Sequence, residues 1–216
     1  MITGAIFDMD GLLFDTEKIY QKIWFELAEE RGIKLDHSFT RRISGTSGEE
    51  ALRTISEFFN TDEPTVIQKE CGKKMIEATK ESVPVKPGVY EMLDFLKEKG
   101  LHIIVASGSS CEQIRNNLAV SKTTQYFDDI VGGTELKYGK PAPNIFLYAA
   151  EKIRCDSHDC FVFEDSPNGI KAAYAAACHP IMIPDMTKPS EEIRSICDLV
   201  CKDMHQALEM IRNIYF

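Results

Sequence analysis

Acidic side chains end two of the short apolar runs in the chain, and this arrangement suits phosphoryl chemistry. Asp8 and Asp10 follow the first run, and Glu164 and Asp165 follow a later one. Either pair alone is most often a turn or the start of a helix. In an open sheet of parallel strands, however, ligands bind where the carboxyl ends meet, so we expect these four carboxylates to converge. Carboxylates in such a cluster repel unless a cation joins them, and hard oxygen ligands predict Mg²⁺.

Two further segments offer groups that bind phosphate. Ser107, Gly108 and Ser109 end another apolar run just before a predicted helix, where hydroxyl and N–H groups can donate to phosphate oxygens. Lys140 adds a positive charge in a Gly-Lys-Pro sequence. Simpler interpretations are a helix cap for Ser107 and an exposed loop position for Lys140. A Walker loop is excluded because proline follows Lys140 where serine or threonine is needed. A dication beside a hydroxyl, N–H groups and a lysine predicts phosphoryl transfer.

The elements that must position these groups alternate between strand and helix. Short apolar, β-branched runs predict buried parallel strands at 2–7, 101–106, 130–131, 160–163, 181–183 and 199–200. Helical patterns between them cover 89–99, 111–118, 144–152 and 168–177. The fold class is therefore α/β, a Rossmann-like doubly wound parallel sheet.

One long interval after the first strand breaks this alternation and is helical throughout. Apolar stripes at helical spacing are Ile19, Ile23, Leu27; Ala51, Ile55, Phe58; and Val66, Ile67, Cys71, Met75. We predict a helical cap domain over 16–82, inserted in a core domain formed by 1–15 and 83–216. Asp15 or Thr16 can cap the first cap helix, and the two connections lie side by side as a hinge.

Composition limits the classes of partner. The 216-residue chain has 25 basic and 34 acidic residues, a formal net charge of −9, which gives no general attraction for nucleic acid or anionic membrane. An acidic protein with an anionic substrate then needs local positive charge or a metal. Seven cysteines without a Cys-x-x-Cys pair suit a reducing compartment. Since no signal peptide or apolar run of about 18 residues is present, we expect a cytoplasmic protein without a membrane span.

Four motifs resemble those of the haloacid dehalogenase superfamily of phosphotransferases, in the order that the family uses. They are DMDGLLFDTE, ASGSS, GKPAPNIF and VFEDSPNGIKAA. The inserted cap is similar to that of the subgroup with β-phosphoglucomutase and small sugar-phosphate phosphatases. The resemblance implies that Asp8 is the nucleophile that forms an aspartyl phosphate and that Asp10 is the general acid and base. It also implies Mg²⁺ held by Asp8, the Asp10 backbone carbonyl and Asp165, with Glu164 bound directly or through water.

The same resemblance implies roles for the remaining groups. Ser107, with Gly108 and Ser109, binds the transferring phosphoryl group, and Lys140 offsets the charge of the transition state. Thr16 lies at the cap hinge and Tyr20 faces the cleft. Candidate substrate contacts in the cap are Tyr20, Trp24, Arg42, Gly45, Thr46 and Ser47, although Trp24 has the spacing of a cap core residue and Arg41 and Arg42 that of a solvated face.

Several related chemistries are distinguished by single residues. Dehalogenases lack the acid at the place of Asp10, and the Schiff-base lysine of phosphonatases has no counterpart here. β-Phosphoglucomutases grip a second phosphate with a histidine and an arginine, where this chain has Tyr20 and Gly48. We therefore favour a phosphatase for a small sugar, polyol or nucleoside monophosphate, acting as a monomer, with a phosphomutase as the alternative. A phospho-accepting receiver module is the non-enzyme alternative, but it has no cap and carries its aspartate on the third strand.

Overall fold

The computed structural model describes residues 1–46, 48–133 and 136–216, and its core is one parallel sheet. The strands are β1 (Gly4–Phe7), β2 (His102–Ser107), β3 (Asp129–Gly132), β4 (Cys160–Glu164), β5 (His179–Met182) and β6 (Leu199–Val200), in the order β3-β2-β1-β4-β5-β6. Phe7 is in register with Val105 of β2 and Phe163 of β4. Because the chain crosses from β1 first to one side and then to the other, the predicted doubly wound α/β class is confirmed.

Helices cover both faces of the sheet. The core helices are α5 (Val89–Glu98), α6 (Cys111–Val120), α7 (Asn144–Lys152), α8 (Pro167–Ala175), α9 (Glu191–Ser195) and α10 (Met204–Tyr215). Alternate residues of β1 pack in opposite layers, with Phe7 against α5 and α10 and Ile6 against α7 and α8. The six predicted strands and four predicted core helices lie within a few residues of the observed ones, whereas α9 and α10 were not predicted.

Four helices between β1 and α5 have a hydrophobic core of their own. They are α1 (Glu17–Glu29), α2 (His37–Ile43), α3 (Gly48–Phe59) and α4 (Pro64–Thr79). Trp24 packs edge-to-face against Phe39 and Phe59, with ring centroids 5.4 and 6.0 Å apart. The predicted stripes are buried or partly buried except at Val66, which is 46% exposed because it lies on the outer face of α4. Hereafter these helices are called the cap. Among the described residues, no helix has both the length and the apolar character to cross a bilayer.

Candidate active site

The carboxyl ends of β1, β2 and β4 bring the predicted catalytic groups together. Asp8 directly follows β1 and its N–H donates to the Phe163 carbonyl at 3.0 Å, while Glu164 is the last residue of β4. Carboxylate oxygens of Asp8, Glu164 and Asp165 lie within 4.8 Å of one another, and all three residues are buried. Parallel pairing thus places acidic residues from distant parts of the sequence in one cluster.

Lys140 is buried among these carboxylates. Its Nζ forms ion pairs with Asp8 Oδ1 and Glu164 Oε1, and it lies 5.0 Å from the centre of the Phe146 ring. Burial disfavours the ammonium, but the two carboxylates outweigh this and raise the pKa of Lys140 above its ordinary value. The exposed-loop interpretation of Lys140 is therefore wrong, since only 2% of its surface is accessible.

The carboxylate cluster carries more negative charge than Lys140 can offset. Burial raises the pKa of Asp8, the Lys140 ammonium lowers it and the Glu164 carboxylate raises it. The net result is a pKa of about 8. Burial and the neighbouring carboxylates of Glu164 and Asp8 hold the pKa of Asp165 well above its ordinary value. Three buried carboxylates with oxygen-only donors suit a hard divalent cation, which would remove this excess. The residues present therefore fit the divalent metal that the acidic motifs predict.

Asp10 has a different environment from the other three acids. Its Oδ1 accepts from Thr16 Oγ1 at 2.7 Å, and its Oδ2 accepts from Ser109 Oγ at 2.7 Å and Ser107 Oγ at 3.3 Å. Burial raises the pKa of Asp10, and the three hydroxyl groups lower it. The four acidic residues therefore converge on one edge of the sheet as expected, where all of them line one cavity. Only three of their carboxylates form the close cluster, because the Asp10 side chain turns to hydroxyl donors.

Thr16 and Ser107 serve Asp10 rather than their helices. Thr16 is the N-cap residue just before α1, but its side chain accepts no hydrogen bond from the helix, so the predicted capping by its hydroxyl is wrong. It is fully buried, and its hydroxyl donates to Asp10 instead. Helix α6 is capped by Ser110, whose side chain accepts from Gln113 N–H, and Ser107 Oγ instead accepts from Ser109 N–H at 3.1 Å.

Gly11 allows the loop after β1 to close beside the acidic cluster. Its φ is +84°, and its N–H donates to the Phe14 carbonyl at 2.8 Å. A Cβ at this position would lie 2.6 Å from Asp165 Oδ2. Glycine is therefore required both by the left-handed backbone and by the close approach of Asp165.

A chain of hydrogen bonds links the cap to Asp10. Gln113 Nε2 donates to Tyr20 Oη at 2.5 Å, and Tyr20 Oη lies 2.7 Å from Ser109 Oγ. Because Ser109 donates to Asp10, the Tyr20 hydroxyl must donate to Ser109, and each member of the chain has one orientation. The position of Tyr20 in the cleft was predicted from the sequence, whereas the contact of Gln113 with Tyr20 was not.

Ser166 fixes the carboxylate of Glu164. Its N–H and its Oγ both contact Glu164 Oε2, at 2.8 and 2.9 Å, while the same Oγ accepts from Gly169 N–H at 3.0 Å and caps α8. Local helix capping and positioning of a cluster carboxylate are thus performed by one hydroxyl group.

A cavity of about 570 Å³ separates the cap from the strand ends. The predicted residues Tyr20, Trp24, Gly45, Thr46, Gly108 and Ser109 line it. Sequence analysis missed the lining residues Glu17, Gln21, Thr65, Lys69 and Lys73. Ser47 lies outside the described residues. Arg42 pairs with Glu57 at 2.8 Å on the cap surface, as the solvated-face interpretation predicted.

Glycines bring the cap close to the core. Gly45 has φ +66°, and a Cβ there would lie 2.6 Å from the Cβ and Oγ of Ser166. Gly48 forms an isolated antiparallel bridge with Tyr138 and has φ +60°; a Cβ there would lie 2.8 Å from the backbone N of Gly139. At Gly45 and Gly48 the backbone of the cap therefore lies directly against the core.

The buried acids, the lysine and the covered cavity define a phosphohydrolase with an α/β core. The family model for haloacid dehalogenase-like hydrolases matches residues 5–183, and the chain belongs to this family. It is 32% identical over 179 residues to a phosphorylated carbohydrates phosphatase of Thermotoga maritima, covering 82% of this chain and 83% of the relative. Hexitol phosphatase B of Escherichia coli is 27% identical over 216 residues, covering 94% and 96%.

A solved structure with the same architecture is that of β-phosphoglucomutase from Clostridium difficile. The TM-score is 0.84 at 27% identity, with 99% of this chain and 96% of that chain covered. The cap and the core are thus shared with a mutase, while the curated relatives above are phosphatases. The family and these relatives identify the chain as a hydrolase that acts on phosphoric monoesters.

Proposed function

We propose that this enzyme is a Mg²⁺-dependent phosphatase of small sugar or polyol phosphates that works through an aspartyl phosphate on Asp8. The observation that carries the proposal is the buried Asp8, paired with Lys140 on the floor of the cavity between cap and core, with Asp10 held by three hydroxyl groups beside it. The relatives that act on phosphorylated carbohydrates and hexitols support the substrate class. The enzyme acts as a monomer in this proposal, since every group that the reaction needs comes from one chain. The proposed location is the cytoplasm.

The reaction needs a nucleophile and a proton carrier. An Asp8 carboxylate oxygen attacks phosphorus, the bond from phosphorus to the ester oxygen breaks, and Asp10 gives its proton to the leaving oxygen. Water then attacks the aspartyl phosphate and Asp10 takes a proton from it, which frees Asp8 and inorganic phosphate. Hydrogen bonds from Thr16 and Ser109 hold the Asp10 carboxyl in one place for both proton transfers.

Positive charge in the site offsets the charge of the transferring phosphoryl group. Lys140 supplies one such charge, and Ser107 has a hydroxyl at the end of β2 that can contact the phosphoryl oxygens. The groups that would hold Mg²⁺ are the carboxylates of Asp8 and Asp165 and the Asp10 backbone carbonyl, with Glu164 direct or through water. When bound, the ion supplies further positive charge next to the phosphoryl oxygens.

The phosphomutase alternative is favoured by the overall likeness to β-phosphoglucomutase and opposed by Gly48. A mutase must hold a bisphosphate so that its second phosphate can be turned around, and the resemblance puts an arginine for this purpose at the place of Gly48. Here that position has φ +60° and lies against the Gly139 backbone, so a long side chain does not fit without moving the loop. Hydrolysis by water is therefore the better supported outcome.

The first experiment measures phosphate release from a panel of phosphomonoesters with Mg²⁺ and with a chelator, and follows isomerisation of β-glucose 1-phosphate in parallel. We expect metal-dependent release without isomerisation. Isomerisation with little release would establish the mutase and contradict the argument from Gly48.

Variants test the assigned residues in the same assay. Asp8→Asn is expected to lower turnover by a factor on the order of 10³ or more with the fold intact, and the exposed Asp62→Asn serves as its control. Asp165→Asn is expected to raise the Mg²⁺ concentration for half-maximal rate at least about tenfold. Near wild-type activity of Asp8→Asn would show that Asp8 is not the nucleophile. An unchanged Mg²⁺ requirement in Asp165→Asn would show that Asp165 does not hold the metal.

A further inference from the structure

Glu17 is a carboxyl group in the cavity that the proposed reaction does not use. It is the first residue of α1, and its side chain lines the space between the cap and the core. Its Oε1 accepts from Ser44 Oγ at 3.2 Å, and within the described part of the chain no lysine or arginine forms an ion pair with it. A carboxylate in a cavity with so little local compensation is available to a ligand.

The position of Glu17 relates it to the leaving group. A Cβ on Gly11 would lie 3.3 Å from Glu17 Cγ, so the side chain stands beside the loop that carries Asp10. Its neighbour Thr16 donates to Asp10 Oδ1 at 2.7 Å. In the proposed reaction Asp10 delivers a proton to the leaving oxygen. Glu17 therefore borders the space where the carbon atoms of the leaving group begin.

Of the three described lysines that line the cavity, Lys140 is buried on its floor, where it pairs with Asp8 and Glu164. Lys69 and Lys73 project from α4, four residues apart, and both are exposed, which places their ammonium groups towards solvent. Asp10 is the charged group that acts most strongly on the pKa of Glu17, and it carries the same sign of charge. The cavity wall formed by Glu17 and Asp10 is thus acidic. The exposed part of the lining carries both signs of charge, with Lys69 and Lys73 on α4 and Glu112 on α6.

We propose that Glu17 is a specificity-determining residue that accepts a hydrogen bond from a hydroxyl group on the carbon next to the ester carbon. A carboxylate accepts hydrogen bonds from hydroxyl groups and repels another carboxylate at the same place. The inference rests on the proposed function and narrows its substrate class. Phosphates of polyols and sugars are accepted, and phosphates of short hydroxy acids are rejected.

Three esters of equal length test this directly. Ethyl phosphate, 2-hydroxyethyl phosphate and 2-phosphoglycolate carry a methyl, a hydroxymethyl and a carboxylate group next to the ester carbon. We would measure kcat/KM for each at pH 8, where Glu17 is ionised, and divide the last two values by that for ethyl phosphate. The wild-type kcat/KM is expected to be at least about tenfold higher for 2-hydroxyethyl phosphate than for 2-phosphoglycolate. This factor corresponds to the free energy of one hydrogen bond to a charged group. In Glu17→Gln this preference should fall by about the same factor, because the neutral amide no longer repels the acid.

A matched control separates the position of the charge from its loss. Glu29 lies at the other end of α1, is exposed, and belongs to no ion pair of the described residues, so Glu29→Gln makes the same chemical change and should keep the wild-type preference. An equal preference in wild type and Glu17→Gln would overturn the inference and leave the phosphatase standing. Absence of phosphate release by the wild type from these esters and from the wider panel would overturn the proposed function and the inference together.

Discussion

Tyr20 of the cap and Ser109 of the core are joined by a hydrogen bond of 2.7 Å, and Ser109 passes this contact on to Asp10. The partners come from helix α1 and from the loop after β2, which are 89 residues apart in sequence. Since the proposed general acid receives one of its three hydrogen bonds through this pair, seating of the cap and placement of Asp10 are coupled.

Removal of the Tyr20 hydroxyl tests that coupling. Tyr20→Phe keeps the ring in the cap and leaves Gln113 Nε2 and Ser109 Oγ without their common partner. We expect kcat to fall about fivefold, with a smaller change in KM, because a buried hydrogen bond contributes about 1 kcal/mol and acts here on a reacting group. Steady-state kinetics with one good substrate give both values.

The control for this variant is Tyr90→Phe. Tyr90 Oη donates to the Ser121 carbonyl at 2.8 Å, far from Asp10 in the hydrogen-bond network, so this variant loses a tyrosine hydroxyl without touching the chain. An equal fall of kcat in both variants would show that Tyr20 acts on stability alone.

Asp10→Asn separates the two halves of the reaction. The amide has nearly the same shape but cannot give or take the proton, so turnover of alkyl phosphates should fall by about 10² to 10⁴. With 4-nitrophenyl phosphate the leaving group needs no proton, so Asp8 is still phosphorylated while attack by water is slow. Acid quenching should then trap more phosphorylated protein than in the wild type. Equal losses with both substrates and no trapped intermediate would contradict the role of Asp10.

Gly45→Ala tests the seating of the cap. The new Cβ would lie 2.6 Å from Ser166, so the cap must shift away from the strand ends, and we expect kcat/KM to fall by about tenfold to a hundredfold. Gly32→Ala is the control, since Gly32 also has φ +66° in the cap but has nothing within 4 Å of its added Cβ. Both variants should lose about 1 kcal/mol of stability from the left-handed backbone. If Gly32→Ala lowers kcat/KM as much as Gly45→Ala does, strain alone explains the loss.

The half-buried carboxyl of Glu17 predicts a pH dependence of stability. Burial, with Asp10 adding to it, raises the pKa of Glu17 from 4.5 to about 7. The folded state then binds more protons than the unfolded state between these values, so the stabilisation is complete below pH 4.5 and is lost as pH rises through about 7. This contribution amounts to at most about 3 kcal/mol.

Denaturant unfolding at pH 5 and pH 8 in the presence of chelator measures this contribution. The wild type should lose more free energy of unfolding between the two values than Glu17→Gln does, because glutamine has no proton to lose. The same difference in both proteins would show that Glu17 titrates normally in the folded state.

The core fold was readable from the sequence because its strands are buried on both faces. Residues such as Ile6 and Val162 form unbroken apolar runs, which polar strand ends then interrupt. Helix α10 was missed although Met204, Ala207, Leu208 and Ile211 are buried at helical spacing.

The site residues divide along the same line. The cluster of Asp8, Glu164 and Asp165 follows from position at strand ends, since parallel pairing brings such positions together wherever they lie in sequence. Contacts in the cap do not follow in this way. Helical periodicity shows which face of α1 or α4 is apolar, but it does not show how the cap sits on the core, and so it missed Glu17 and Lys69.

The seating of the cap also bears on how such an enzyme can change its substrate. Gly45 and Gly48 bring the cap against the core with their backbone atoms. A second group of cap residues presents side chains to the cavity, namely Glu17, Gln21, Thr65 and Lys69. Substitutions in the second group leave the contacts that close the cavity in place. Natural selection, or a library of variants confined to those positions, can therefore change which leaving group is recognised. The residues at the strand ends and the contacts between cap and core stay the same.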